Sequence, residues 1–256
     1  MDKPHLAVIV PAYDEEDRIG PTLERLSEYF STQPYTWKVV VVSDGSKDRT
    51  AAIVTDFAST HPNFELIDSQ PNRGKGFVVR KGMTEVEAEW LLFSDADLAA
   101  PIEEVEKLFP VVEKGVPIAI GSRPLKESDL EVRQPWYREM AGRGFNLMVQ
   151  LFAVRGIKDT QCGFKLFRQD VSREVFSRCK LDGFGFDFEA LMIARDLGYE
   201  IAEVPIRWSH QEGSKVNMLR DGLRMLVELV KLRLAGKKGR TSRPEHGLRT
   251  EPPDAD

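Results

Sequence analysis

Asp95 and Asp97, separated by the small Ala96, stand at the end of an apolar run that reads Ala88-Glu89-Trp90-Leu91-Leu92-Phe93-Ser94. The stretch Glu89–Ser94 is predicted to be a buried central strand. At the end of a strand, side chains two apart project the same way, so these carboxylates can converge on one point. Left together without counter-charge they repel. A hard divalent cation, Mg2+ or Mn2+, relieves that repulsion and accepts phosphate oxygens as further ligands. A plain polar turn capping the next helix accounts for the same residues, because Pro101 with Glu103 and Glu104 makes a good first helical turn.

Other residues of this kind recur at the ends of predicted strands. Leu6–Val10 is a buried strand stopped by Pro11, and the acids Asp14, Glu15, Glu16 and Asp17 then suit the start of a helix whose apolar face is Ile19, Leu23, Leu26 and Phe30. Lys38–Val42 runs into Ser43-Asp44-Gly45-Ser46, where Asp44 can accept hydrogen bonds from a base or a sugar; an Asx turn is the plainer reading. Phe64–Ile67 precedes Asn72-Arg73-Gly74-Lys75-Gly76, in which two glycines allow close backbone approach and Lys75 at a helix start suits an anion. The segment lacks the Walker pattern, and no G-x-G-x-x-G follows the first strand, which argues against a P-loop or a dinucleotide-binding fingerprint. Pro117–Gly121 ends at Ser122 and Arg123. Polar residues at successive strand ends face one crevice in open α/β sheets. A nucleotide-diphosphate compound with a divalent metal fits that set.

The 256 residues are 41% hydrophobic and alternate helical with β-branched stretches, which predicts one α/β domain with a sizeable core. A formal net charge of −5 argues against a general nucleic-acid binder. Between Ser214 and Arg240, however, eight Lys or Arg face only Asp221 and Glu228. Cys162 and Cys179 fit no metal spacing and suggest reduced cytosolic thiols. With no signal peptide before Leu6 and no apolar segment of spanning length, a soluble or peripheral protein is expected.

The motifs PAYDEED, VVVSDGSKDRT, NRGKG, FSDAD and GSR occur in the order and spacing of the inverting glycosyltransferases of family two, and the chain resembles that family from about Leu6 to Leu234. The later DTQCGFKLF, GFGFDFE and EVPIRWSHQEGSKV resemble its branch acting on dolichyl or bacterial polyprenyl phosphate, nearer to the dolichyl-phosphate glucosyltransferases than to the mannosyl enzymes. The resemblance implies a single GT-A-type α/β domain with a mostly parallel sheet. It divides residues 1–234 into a donor half, about 1–123, and an acceptor half, 124–234; residues 235–256 read as a mobile polar tail. By matching motifs, Asp14, Glu16, Asp44 and Lys75 take the base and ribose of a nucleotide sugar, with Pro11, Tyr13, Ala96 and Arg123 completing the donor contacts. Asp95 and Asp97 take the diphosphate and the metal. Many relatives carry two adjacent acids where Ser43-Asp44 stands, so altered nucleotide contacts are expected.

In the second half, Leu130–Val154 is predicted to be a long helix. Its Arg133, Arg138 and Arg143 are about 140° out of phase, so they cannot share one ligand; Arg133 or Arg138 is the candidate acceptor contact. By resemblance, Asp159 and Gln161 lie beside the donor sugar, and Arg207, Ser214 and Lys215 recognise the acceptor phosphate, with His210 a weaker candidate. Asp187 is nominated near the acceptor, as general base if the acceptor is a hydroxyl; Glu189 caps or braces. Ile201–Trp208 is a last strand at an edge, given Pro205. Asn217–Leu234 is predicted as a basic amphipathic helix, expected to dock on an anionic membrane surface, pack on the domain or form a homodimer contact.

The expected reaction is inverting transfer of a hexose, glucose from UDP-glucose foremost, to dolichyl or polyprenyl phosphate on the cytoplasmic face of a membrane. Mannosyl transfer, a soluble family-two enzyme with a hydroxyl acceptor, and a non-enzymatic nucleotide-binding module are the alternatives.

Overall fold

A computed structural model describes residues 3–125, 128, 130–132, 154, 156–209 and 218–242. Seven strands form one sheet: β1 (Leu6–Ala12), β2 (Trp37–Ser43), β3 (Phe64–Asp68), β4 (Trp90–Ser94), β5 (Ile118–Ser122), β7 (Phe164–Arg168) and β8 (Ile201–Pro205), in the order β3-β2-β1-β4-β7-β5-β8. All pairings are parallel except those of β7, which runs antiparallel to both β4 and β5. A small second sheet pairs β6 (Leu130–Val132) with β9 (Trp208–Ser209).

The strands are continuous apolar runs because both faces of the sheet are covered. Alternate side chains enter two cores. Ala7, Ile9, Val40, Val42, Leu91 and Phe93 pack with helices α3 (Lys75–Glu85), α5 (Gln169–Phe176) and α6 (Phe186–Asp196) on one side. Leu6, Val8, Val10, Val39, Val41 and Leu92 pack with α1 (Ile19–Ser31), α2 (Thr50–Thr60) and α4 (Val105–Val112) on the other. This is a three-layer α/β domain, the class that the alternation of strand and helix patterns implied, with the mostly parallel sheet that the resemblance implied.

Three expected boundaries move. Helix α1 begins at Ile19, so the acids at 14–17 precede it rather than occupy its first turn. Leu130–Val132 is strand, not the start of a helix, and 133–153 lie outside the described residues. The predicted strand Ile201–Trp208 is two strands in different sheets, with Pro205 closing the edge strand β8. The last helix, α7 (Met218–Thr241), breaks helical geometry at Gly236 (φ 67°) and then resumes. Its final turn is fastened where a tail was expected: buried Arg240 donates to Asp196 at 2.6 Å and to the Leu232 carbonyl at 3.0 Å.

Candidate active site

The carboxyl ends of β1, β2 and β4 open on one cavity of about 480 Å3. Asp95 and Asp97 lie on its wall. Because β7 is antiparallel, its first turn meets the exit of β4: the Asp95 amide donates to the Gly163 carbonyl at 3.1 Å. The carboxylate then lies over Gly163 so closely that a Cβ there would stand 2.0 Å from Asp95 Oδ2. Asp97 Oδ1 accepts from the Ala99 amide at 3.0 Å. Burial, then the charge of Asp95, push the Asp97 carboxyl above its ordinary range. Lys75 Nζ sits 2.6 Å from Asp95 Oδ1. Burial opposes its charge, but Asp95 and then Asp187 outweigh that and raise its pKa.

Among the described residues, no three His, Cys, Asp or Glu side chains converge as a complete metal cage. The pair nevertheless fits a hard cation: two oxygen-donor carboxylates, with burial and then the charge of Asp95 raising Asp97, beside a cavity with room for a diphosphate whose oxygens would be further ligands.

The neighbouring loops are tied together by carboxylates. Asp14 Oδ1 accepts from the Lys47 amide at 2.7 Å and Glu16 Oε2 from the Arg49 amide at 3.1 Å, which locks the turn after β1 to the turn after β2. Asp44 accepts from the amides of Arg73 (2.9 Å) and Gly74 (2.7 Å) and from Asn72 Nδ2 (2.9 Å). Asp44, Pro11, Tyr13 and Ala96 line the cavity together with Lys75; Asp14 and Glu16 brace it from behind. The glycines around Lys75 do admit a close backbone, but it is the protein's own: Cβ atoms at Gly74 and Gly76 would fall 2.4 Å and 2.5 Å from the carbonyls of Asp182 and Leu181. In the first turn of α3 the Phe77 amide donates to the Gly74 carbonyl at 3.0 Å and to that of Asp182 at 3.3 Å. Ser43, in place of an acid, is buried with its hydroxyl 3.3 Å from that of Ser46.

Other expected residues are engaged elsewhere. Arg123 grips the buried Asp159 through Nε (2.6 Å), Nη2 (2.9 Å) and its amide (3.1 Å), outside the cavity lining. Burial alone would raise Asp159; Arg123 outweighs it and holds the carboxyl below its ordinary range. The Gln161 backbone amide donates to Asp159 at 3.3 Å, and its side-chain Nε2 is buried without a hydrogen bond among the described residues. Arg207 is drawn away by the buried Glu104, which takes its Nε at 2.7 Å and its amide at 3.0 Å, beside a separate hollow formed with Arg25 and Leu98. Asp187 is buried and ion-paired with buried Lys165, so a freely accessible base is not what that position provides. Lys165 also donates to the Cys162 carbonyl at 2.5 Å. Burial pushes the Cys162 thiol up to about 12, which leaves no nucleophile there. Glu189 braces the 180–181 turn by accepting both amides at 2.8–3.0 Å. Arg133, Arg138, His210, Ser214 and Lys215 lie outside the described residues.

The site also contains residues that sequence reasoning missed. Arg18 and Arg73 line the cavity, as do Asp221, Arg224, Met225 and Glu228 on the inner face of α7. Their spacing of three, four and seven was visible as a polar stripe within an apolar helix, but nothing local said what it faced.

The family model described as Glycosyl transferase family 2 matches residues 7–176. The chain is 37% identical over 233 residues to the dolichyl-phosphate beta-glucosyltransferase of Drosophila melanogaster, covering 86% of this chain and 72% of that one. It is 34% identical over 246 residues to the Homo sapiens protein of the same name, covering 90% and 75%. Among solved structures, mannosyl-3-phosphoglycerate synthase from Rubrobacter xylanophilus matches with a TM-score of 0.67 at 19% identity, covering 93% of this chain and 76% of that one. Glucosyl-3-phosphoglycerate synthase from Mycobacterium tuberculosis, in complex with Mn2+ and UDP-glucose, matches with a TM-score of 0.66 at 16% identity, covering 90% and 79%. At these identities the two synthases share its fold. The chain belongs to glycosyl transferase family 2 and, within that family of transferases, groups with the dolichyl-phosphate beta-glucosyltransferases.

Proposed function

We propose that this transferase moves glucose from UDP-glucose to dolichyl phosphate or a related polyprenyl phosphate, with inversion at the anomeric carbon. The names of its relatives support the sugar and the acceptor, and the Mycobacterium complex supports a UDP-sugar and a divalent metal in this fold. The observation that carries the reading is the fate of Asp187. A hydroxyl acceptor needs a base, and the carboxylate nominated for it is buried on Lys165. A phosphate acceptor is already an anion near neutral pH and needs none.

In this reading the loop at 72–74, held by Asp44, seats the nucleoside, and Lys75, Arg18 and Arg73 face the diphosphate. Asp95 and Asp97 would hold Mg2+ or Mn2+, which supplies charge neutralisation for the departing diphosphate. An acceptor phosphate oxygen forms the new bond to the anomeric carbon. The bond from that carbon to the diphosphate oxygen breaks and its electron pair leaves with UDP, so no proton changes hands. Lys75, fixed beside Asp95, is placed to stabilise that developing charge.

Among the described residues no helix is long and apolar enough to cross a membrane. The outer face of α7 instead exposes Leu223, Val227, Val230 and Leu234 as one stripe, flanked by exposed Lys231, Arg233, Lys237 and Lys238. That combination suits peripheral attachment to an anionic, cytoplasmic-facing surface, where an isoprenoid acceptor resides. The test supplies UDP-glucose labelled in the sugar, with dolichyl phosphate in vesicles and Mg2+ or Mn2+. Label entering the lipid phase is expected. Transfer to glycan hydroxyls alone, or a preference for GDP-mannose, would overturn the assignment.

A further inference from the structure

Arg224 has the geometry of an anchored hand. Its Nε donates to Glu228 at 3.1 Å, one helical turn on, and among the described residues its two Nη groups have no hydrogen bond. Glu228 is the more buried partner. Its side chain is 12% exposed against 68% for Arg224, and it packs on Gly185, where a Cβ would fall 2.5 Å from Oε2. The carboxylate therefore fixes one edge of the guanidinium and leaves the other edge, a planar pair of donors, at the mouth of the cavity beside Gly183. A planar fork of this kind matches phosphate oxygens. Two further features say where that phosphate comes from. Arg224 adjoins Leu223 and lies one turn from Val227, at the start of the exposed apolar stripe. The cavity it lines also holds Asp95 and Lys75, where the leaving group is expected. A phosphate carried on an isoprenoid chain meets both requirements at once, with its head in the cavity and its chain along the stripe.

We propose that Arg224 receives the acceptor's phosphate at the mouth of the cavity, a role that sequence had given to Arg207 together with Ser214 and Lys215. The inference rests on the isoprenyl-phosphate reading above. The experiment compares the parent with Arg224→Ala, Arg224→Lys and Glu228→Gln, each checked for folding by circular dichroism. KM for dolichyl phosphate and Kd for UDP-glucose are measured, with calorimetric titration of a short isoprenyl phosphate in the absence of donor. Arg224→Ala is expected to raise the acceptor KM about 10- to 100-fold, as for loss of a charge-assisted contact, with the UDP-glucose Kd within about twofold of the parent. Arg224→Lys should fall between, and Glu228→Gln should lose far less than Arg224→Ala. If isoprenyl phosphate titrates onto Arg224→Ala as tightly as onto the parent, Arg224 does not meet the phosphate and the proposal fails. An unchanged acceptor KM in Arg224→Ala also overturns it. So does a loss explained entirely by weaker sedimentation with phosphatidylserine vesicles, which would make the contact a headgroup one. Titration keeps the two claims apart: isoprenyl phosphate bound through Arg224 without any transfer sinks the reaction and upholds the site. Normal transfer without Arg224 does the reverse.

Discussion

Replacing Gly163 by alanine should disable catalysis while leaving a folded protein. Gly163 contributes no side chain to the site, yet the Asp95 carboxylate occupies the space where its Cβ would be. The new methyl would stand 2.0 Å from Oδ2, 2.4 Å from Cγ and 2.9 Å from Oδ1. An ordinary contact begins near 3.4 Å, so one partner must retreat by about 1.4 Å. The Gly163 backbone cannot easily do so, because its carbonyl accepts the Asp95 amide and its chain enters β7 in register with β4. The carboxylate must therefore swing, leaving both Lys75 and its alignment with Asp97. A displacement of about 1 Å in a reacting constellation costs on the order of 10²-fold, or about 3 kcal/mol on the barrier. The assay is kcat for labelled glucose transfer at saturating donor and acceptor, with metal titration and a thermal melt on the same preparation. Expected are a kcat lower by roughly 10²-fold, a raised requirement for Mn2+ and a cooperative melt. A folded Gly163→Ala enzyme with kcat within about threefold of the parent would refute the placement of Asp95 against this glycine.

Asp97→Asn should lower turnover by roughly 10²-fold, and excess chelator should abolish parental activity; full turnover in chelator would contradict a metal on this pair. Glu189 gives a pH dependence whose direction is fixed. Burial raises its pKa to about 7, above the unfolded value, so the stability associated with the protonated form is present below about pH 4.5 and declines as pH rises toward 7. The stability gap between Glu189→Gln and parent should consequently move in the variant's favour by on the order of 3 kcal/mol between pH 4.5 and 8, measured by urea unfolding; a pH-independent gap would refute it. Charge reversal at Lys231, Arg233, Lys237 and Lys238 should remove salt-sensitive sedimentation with anionic vesicles. Retained sedimentation, or a change from dimer to monomer in ultracentrifugation, would reassign the α7 stripe.

The sheet was legible because short continuous apolar runs such as Leu6–Val10 and Lys38–Val42, bounded by turn formers, are the local signal of strands covered on both faces. The positions of Asp44, Asp95 and Asp97 were legible for the same reason, since they follow directly on strands, and that of Lys75 because it opens a helix between two glycines. Partners distant in sequence were not. Nothing near Arg207 announces Glu104, 103 residues earlier, and nothing near Asp187 announces Lys165. The acids at 14–17 read as helix caps because sequence shows the helix that follows them and hides the amides of Lys47 and Arg49 that fold back against them. The inner face of α7 was hidden differently. Its outer residues are apolar too, so the pattern described two faces without saying which one met the site.

The single reversed strand has a consequence for how this architecture can diversify. The chain leaves β5 at Ser122 and re-enters the sheet at Phe164, and since β7 runs against its neighbours both points lie on the edge that carries Asp95. The intervening segment is thus a cassette whose two ends are moored on the reaction's rim, with Arg123 and Asp159 acting as its clasp. A parallel β7 would have required a return journey across the fold, and any lengthening would have had to thread it. Here a change of length between the two ends leaves the register of β7 with β4 and β5 as it is.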